Sequence, residues 1–300
     1  MEQVTSKYAD WTRGQVEALI NIIGEENAKG LLTGDISAEF KEVIKKLFDK
    51  HGRRIPEGLQ ANVCDANRNF RLDQPKLDEE VDFANRILRL HGCLSIDTEV
   101  TAEQLKVETE RLLAIIRGNP QIANIANSVY LPVVLPKFVT NDLGAELELY
   151  LAGVNNSYAK TFGSRTFYNH HKGTLANQVS VVDGSRHDQP ISRMKEGPVI
   201  GLHFSNPLQG LSIYAQREQM STLPEEFILS GLDTIIAMIM YPDILAHDWN
   251  TLGLNLPALQ WQSADGSFGF EAFDDWLDFG STDYLAYASD RFSGGLLFLG

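Results

Sequence analysis

Cysteine is scarce in this sequence of 300 residues, which contains two, Cys64 and Cys93. Neither belongs to a CxxC pair, so the spacing of a zinc ribbon or of a thiol redox motif is missing. A chain of this length can bury a sizeable core without a disulfide or a metal ion. We therefore expect both cysteines to be buried thiols.

Long apolar segments are missing as well. The longest apolar run, Thr234 to Tyr241 (TIIAMIMY), is far shorter than the ~20 residues that a membrane-spanning helix needs. The first residues, MEQVTSKYADWTRGQ, carry acidic residues early and have no apolar core of the kind found in a signal peptide. These features predict a cytoplasmic protein with no membrane partner.

Basic residues are few, since 26 Lys and Arg face 40 Asp and Glu and the formal net charge at pH 7 is -14. This charge repels nucleic-acid phosphates and anionic membranes, so nucleic-acid binding is disfavoured. The partners that remain are another protein or a small anionic ligand, bound at a local basic segment such as Arg186 to Lys195. The aromatic-rich end of the sequence, with an exposed strand edge, also leaves room for a homo-oligomer.

Residues 1–120 contain a series of helical patterns, in which apolar residues recur at spacings of three and four. The predicted helices are Gly14 to Ile23, Glu25 to Leu32, a segment with Phe40 and Phe48 on its apolar stripe, Asp78 to His91, and Thr101 to Arg117. Thr101 and Gln104 have the spacing of a capping box. We expect a helical domain over 1–120 and a second domain over 121–300.

Residues 121–300 mix helix and strand patterns. Pro132 and Pro136 argue against a central strand near them, and Asp142 is suited to cap a helix. The predicted strands are Gln178 to Val182, Val199 to Phe204 and Leu211 to Ala215, and Pro224 to Tyr241 is predicted to be a buried helix. TIIAMIM within it would equally suit a buried strand. The last forty residues alternate aromatic and polar positions between glycine turns, which predicts an antiparallel β-meander and an α+β fold class.

Three segments carry a resemblance: WTRGQVEALINIIGEENAKGLLTGDI, VSVVDGSRHDQPISRMKEGPVIGLHFSNPLQG and FILSGLDTIIAMIMYP with the aromatic tail. They are similar to a group of proteins without an assigned activity that recurs in the genomes of candidate-phylum bacteria. The resemblance covers most of the chain. It implies an N-terminal helical unit and a C-terminal α+β unit, and it carries over no catalytic residue.

The polar segment Gly163 to Pro207 contains four of the seven histidines. It also holds basic and aromatic side chains that a structural loop does not require. The candidate ligand-binding residues are Arg165, Tyr168, His170, His171, Arg186 and Arg193. Arginine pairs in such a segment can bind a carboxylate or phosphate in a fork. We therefore expect a binding or interaction module with its ligand or partner site at residues 165–203.

An enzyme is the alternative, a hydrolase with His187 as its base and with Asp188 and His203 as further catalytic candidates. The expected nucleophile is missing, because no serine lies in a GxSxG elbow. A metal-dependent version would use His170 or His171 with His187, Asp188 and His203, but these spacings match neither HExxH nor a Cys/His finger, so we assign no metal ligands.

The remaining patterns add little chemistry. The glycines are too scattered for a dinucleotide or phosphate loop, and the sequence requires no cofactor. The acidic residues Asp274, Asp275 and Asp278 lack the spacing of a calcium loop, and we interpret them as solvated charges at strand edges.

Overall fold

The structure is a computed structural model and describes residues 12–38, 44–66, 70 and 72–300. Contacts between residues divide the chain into two units, Met1–Ile44 and Lys45–Gly300. The first unit contains α1 (Arg13–Ile23) and α2 (Glu25–Thr33). Thr12 and Gln15 form a capping box at the start of α1, and Gly34 ends α2 in the left-handed conformation. Both helices were predicted.

The second unit holds the other helices and all strands of the described residues. The helices are α3 (Glu80–Leu94), α4 (Ala102–Gly118), α5 (Leu143–Phe162), α6 (Asp188–Glu196), α7 (Ile213–Gln219), α8 (Leu232–Met240) and α9 (Pro242–Leu245). The strands are β1 (Tyr130–Leu135), β2 (Thr166–Asn169), β3 (Val179–Val181), β4 (Val199–Phe204), β5 (Phe227–Leu229), β6 (Gly253–Leu256), β7 (Leu259–Trp261), β8 (Ser267–Ala272), β9 (Trp276–Thr282), β10 (Phe292–Gly294) and β11 (Leu296–Phe298). The predicted α+β class is confirmed.

The strands form three sheets. A four-stranded antiparallel sheet has the order β1-β4-β11-β5, and a five-stranded sheet has the order β10-β6-β8-β9-β2. In the second sheet β8 pairs antiparallel with β6 and β9, whereas β10 and β2 add parallel strands at its two edges. A small antiparallel pair joins β3 to β7.

The four-stranded sheet is covered by helices on both faces. Because alternate residues of a strand point to opposite faces, Leu297 and Leu296 of β11 belong to different clusters. Leu297 packs with the cluster that contains all the apolar residues of α8, while Leu296 packs with Leu112 and Ile116 of α4. Every residue of α8 is buried, as its apolar composition predicted.

The five-stranded sheet has one buried face and one open face. Phe268 and Phe270 of β8 and Phe279 of β9 point into the core, where their rings lie 4.9–5.5 Å apart between centroids. The alternate residues point the other way. We call this second side the outer face, and it includes Gly269 and Glu271 of β8.

Several local predictions are confirmed. The Thr101 hydroxyl accepts the backbone N–H of Gln104, and the Gln104 side chain accepts the N–H of Thr101. The Asp142 carboxylate accepts the N–H of Ala145 at 2.7 Å and so caps α5. The proline-containing strand β1 lies at a sheet edge, where the missing N–H of Pro132 costs no ladder bond.

The predicted helix with Phe40 and Phe48 on one stripe is wrong over residues 44–48, and residues 39–43 lie outside the described residues. Phe48 instead forms a β-bridge with Arg54, and Leu47 donates its N–H to the Gln121 carbonyl. Long-range backbone pairing therefore overrides a local helical pattern.

Two predictions between residues 211 and 241 are also wrong. Leu211 to Ala215 is not a strand, because the Ser212 hydroxyl accepts the Ala215 N–H and starts α7. The expected helix from Pro224 begins only at Leu232, because Phe227–Leu229 pairs with β11 and Gly231 interrupts the chain with φ -150° and ψ -100°.

The expected β-meander holds for the antiparallel pairing of β6, β8 and β9 alone, since β11 joins the other sheet. The domain boundary expected near residue 120 does not coincide with the division at Ile44. Helices α3 and α4 lie in the larger unit, where α3 packs on α5 and α8 and α4 packs on β4. Cys93 is buried as expected, but Cys64 is exposed. No helix in the described part of the chain has the length and hydropathy to cross a membrane.

Candidate functional site

Two of the three buried histidines of the polar segment, His187 and His203, meet at Asp233. The His203 Nδ1 lies 2.6 Å from Asp233 Oδ2, and the His187 Nδ1 lies 3.9 Å from Asp233 Oδ1. Strand β4 carries His203, the residue before α6 is His187, and Asp233 lies in the first turn of α8. All three side chains are at most 1% exposed. We call this group, with Ser230, the buried histidine cluster.

Most polar atoms of this cluster are paired within the protein. The Asp233 carboxylate accepts the Ser230 hydroxyl at 2.8 Å and the Gly231 N–H at 2.7 Å. A carboxylate only accepts, so His203 Nδ1 is the donor to it, and the buried Nε2 of His203 has no hydrogen-bond partner among the described residues. Burial raises the pKa of Asp233, but its interactions with His203, then with His187 and the Gly231 N–H, hold that pKa below its ordinary value.

His187 is fixed in one neutral tautomer. Its Nδ1–H donates to the Leu229 carbonyl at 3.0 Å, and its Nε2 accepts the Leu232 N–H at 3.1 Å. Burial lowers its pKa, against the opposing influence of Asp233. The lone pair that a general base needs is already occupied by a backbone amide.

The buried histidine cluster also lacks room for a substrate. A Cβ at Gly295 would lie 2.6 Å from Ser230 Oγ and 2.7 Å from His203 Cε1, and one at Gly231 would lie 2.9 Å from His187 Nε2. Backbone therefore closes on the imidazoles from two sides. This arrangement joins the start of α8 to β4 and to the loop before α6.

The other candidate residues from the sequence lie elsewhere. His171 is a core residue whose ring lies 4.4 Å from the Trp261 ring, and burial followed by the neighbouring His170 lowers its pKa. Asp188 is exposed at the start of α6. The metal set that the sequence suggested is not assembled, and no three His, Cys, Asp or Glu side chains among the described residues are placed to hold a metal ion.

Two of the three candidate arginines bind backbone carbonyls. Arg186, which has φ 64°, donates from Nη1 and Nη2 to four carbonyls between Met220 and Phe227, at 2.6–3.1 Å. Arg165 donates to the His247 carbonyl and lies over the Phe162 ring. Arg193 is exposed on α6. Arg165 and Arg186 are thus engaged in holding loops.

Tyr168 is exposed on β2, and His170 lies at an open cleft on the outer face of the five-stranded sheet. Tyr168 is opposite Asp278 in the β2–β9 register, and His170, one residue beyond β2, donates its N–H to the Phe279 carbonyl. His170 lines a cavity of about 440 Å³ together with residues of β6, β8, β9 and β10. We call this cavity the sheet-face cleft.

Two paired glycines form the floor of the sheet-face cleft. Gly269 of β8 is directly opposite Gly280 of β9, and neither has a side chain to fill the space above the sheet. Asn255 lies beside Gly269 in the β6 register. Glycine weakens a strand interior, and it often marks a place where a ligand or backbone approaches closely.

The walls of the sheet-face cleft carry acidic and aromatic side chains. Glu271 and Asp278 are directly opposite each other on adjacent strands, and Tyr284 and Tyr287 lie at the rim with 78% and 67% exposure. Asp278 accepts from Trp276 Nε1 at 3.1 Å and lies 3.3 Å from His170 Nε2. Burial, and then Asp278, raises the pKa of Glu271 against the influence of Arg291.

Comparison with protein-family models, with curated proteins and with solved structures found no match. Membership of the group that the sequence resembles therefore stays a prediction, and the chemistry of the site has to be argued from its geometry. The buried histidine cluster is closed and largely satisfied. The sheet-face cleft is open, concave and lined by groups that can contact a ligand.

Sequence reasoning missed most of the sheet-face cleft. Asp278 was interpreted as a charge at a strand edge, but β9 lies between β8 and β2 in the sheet. A usable signal was present in FGFEA and LDFGS, where glycine and acidic residues alternate with core aromatics. With the hairpin register, those alternations place the glycines together and the two acids together.

Proposed function

We propose that this protein binds a small organic molecule in the sheet-face cleft. The supporting observation is the paired glycine floor, Gly269 and Gly280, beneath a cavity of about 440 Å³ with two exposed tyrosines at its rim. Such a volume lies within the range of small-molecule sites, which combine apolar walls with a few placed polar groups. Of the binding site expected at residues 165–203, His170 lines the cleft and Tyr168 does not.

The geometry does not favour the hydrolase alternative. His187 offers no free lone pair, and His203, Asp233 and Ser230 are enclosed by backbone. Ser230 donates to Asp233 instead of to an imidazole Nε2, which a serine nucleophile would require. A binding role at the open cleft is therefore the proposal we carry forward.

A substitution in the floor tests this proposal. A Cβ at Gly280 has the His170 ring at 3.7 Å as its nearest neighbour, so there is room for a side chain and Gly280→Val adds volume inside the cleft. Valine also suits a strand. We expect compounds from a small-molecule library to raise the melting temperature of the unaltered protein, and to lose that effect on Gly280→Val.

Thr166→Val is the matched control, because Thr166 is an exposed residue of β2 that does not line the cavity. A compound at 100 times its Kd stabilises the folded state by about 2.7 kcal/mol, which a thermal-shift assay detects readily. The proposal fails if every stabilising compound acts equally on Gly280→Val and Thr166→Val, or if no compound stabilises the protein.

A further inference from the structure

The charges of the sheet-face cleft indicate the sign of its ligand. Among the described residues that line it, none is Lys or Arg, whereas Glu271 and Asp278 are both acidic. These two carboxylates are directly opposite each other on one face of adjacent strands. Like charges in that position destabilise a sheet, and a positive charge close to them would offset the repulsion.

The protein supplies that compensation for one carboxylate. Arg291 Nη2 lies 2.6 Å from Glu271 Oε1 and forms an ion pair with it. Asp278 receives a neutral indole N–H from Trp276 and a contact at 3.3 Å from the His170 ring. No Lys or Arg of the described residues forms an ion pair with Asp278, whose side chain is 31% exposed. Within the described part of the chain, Asp278 is thus the cleft carboxylate without a permanent cationic partner.

Aromatic rings line the same cleft. Tyr284, Tyr287 and Phe292 contribute to the cavity wall, and both tyrosines are far more exposed than core aromatics of this chain. The negative face of an aromatic ring attracts a cation within about 6 Å of its centre, most strongly when water is excluded. A cavity lined by both a carboxylate and aromatic rings suits an alkylated ammonium group, which is both charged and apolar.

We propose that the ligand of the sheet-face cleft is a small organic ammonium ion, with Asp278 as its counter-charge and the rim aromatics as its apolar contacts. This inference rests on the proposed function, and it differs from the small anionic ligand expected from the sequence. An anion would meet two carboxylates, and no three His, Cys, Asp or Glu side chains of the described residues are placed to hold an inorganic cation there.

Choline and its neutral isostere 3,3-dimethylbutan-1-ol provide the test, because they share a shape and differ in charge. In isothermal titration calorimetry of the full chain, we expect choline to bind at least about tenfold more tightly than the alcohol. Asp278→Asn keeps an oxygen for the Trp276 indole and removes the charge. It should reduce the preference for choline to about threefold or less.

A matched pair of variants at Tyr287 tests the role of the rim aromatics. Tyr287→Leu should weaken choline binding by about tenfold, whereas Tyr287→Phe should retain it, because phenylalanine keeps the ring face. Urea unfolding checks that each variant is folded. Equal binding of choline and the alcohol, or no binding of either, overturns the inference. The proposed function would still stand in both cases if library compounds bind in a manner that Gly280→Val abolishes.

Discussion

His203 and His170 each lie against an aspartate, but in opposite surroundings. His203 Nδ1 lies 2.6 Å from Asp233, and both side chains are fully buried. His170 Nε2 lies 3.3 Å from Asp278, and the His170 side chain is 61% exposed. The first pair belongs to a network of backbone and hydroxyl donors, while the second lies at the rim of a cavity. The contrast teaches that a histidine near a carboxylate is not by itself a functional site.

The two aspartates differ because Asp233 is removed from water and Asp278 is not. A buried carboxylate is tolerated only when several donors satisfy it, so the buried histidine cluster is rigid and closed. Asp278 keeps contact with water and needs fewer partners. It therefore retains the capacity to pair with a ligand. We therefore expect His203 to contribute to stability, whereas His170 lies at the cleft for which we propose binding.

The largest effect is expected from removing Asp233. Asp233→Ala leaves the donors of His203, Ser230 and Gly231 without an acceptor in a dry interior. We expect the free energy of unfolding to fall by about 3–5 kcal/mol, measured by equilibrium urea unfolding. Asp278→Ala is the matched control and should cost about 1 kcal/mol or less, because its pair with His170 is exposed. Similar losses in the two variants would contradict the distinction.

A smaller effect is expected from acid. Burial lowers the pKa of His187 and of His171 below the ordinary 6.5, so the unfolded chain binds more protons than the folded one as pH falls past that value. The free energy of unfolding should therefore decrease between pH 7 and pH 5. The depressed pKa of Asp233 gives a separate loss, which starts only below its ordinary 3.8.

The expected loss of stability in acid has a structural reason in the His187 tautomer. The His187 Nε2 accepts the Leu232 N–H. If Nε2 were protonated, two N–H groups would face each other and this hydrogen bond would be lost. Urea unfolding at several pH values measures the slope, and His171→Phe should make it smaller while keeping the aromatic packing against Trp261. A free energy of unfolding that is constant from pH 7 to pH 5 would contradict this account.

Local patterns explain which parts of the fold were predictable. Helices α3, α4 and α5 follow from apolar spacing and, in α4 and α5, from caps, because these depend on residues three or four apart. The local pattern wrongly predicts helix at Phe227–Leu229. This segment is a strand because it pairs with β11, which lies far along the chain. The predicted α+β class is correct despite such local errors, because the class depends on all helices and strands together.

The candidate site was less predictable, for a topological reason. The polar segment contains four histidines, but β2 leads His170 to the five-stranded sheet and β4 places His203 in the other sheet. Their aspartates lie far along the chain, 30 residues away for Asp233 and 108 for Asp278. Sequence spacing therefore identified the histidines and could not assign their partners.

The smallest effect is expected for His170. His170→Gln removes the imidazole from the cleft and leaves an amide that can still donate to Asp278. Because the side chain is largely exposed, the free energy of unfolding should change by no more than about 0.5 kcal/mol. His203→Gln should cost about 2 kcal/mol or more, because it replaces a planar ring held at 2.6 Å in a packed interior. If urea unfolding gave a loss above about 1 kcal/mol for His170→Gln, the exposed imidazole would have a structural role, and the two histidine sites would no longer differ in kind.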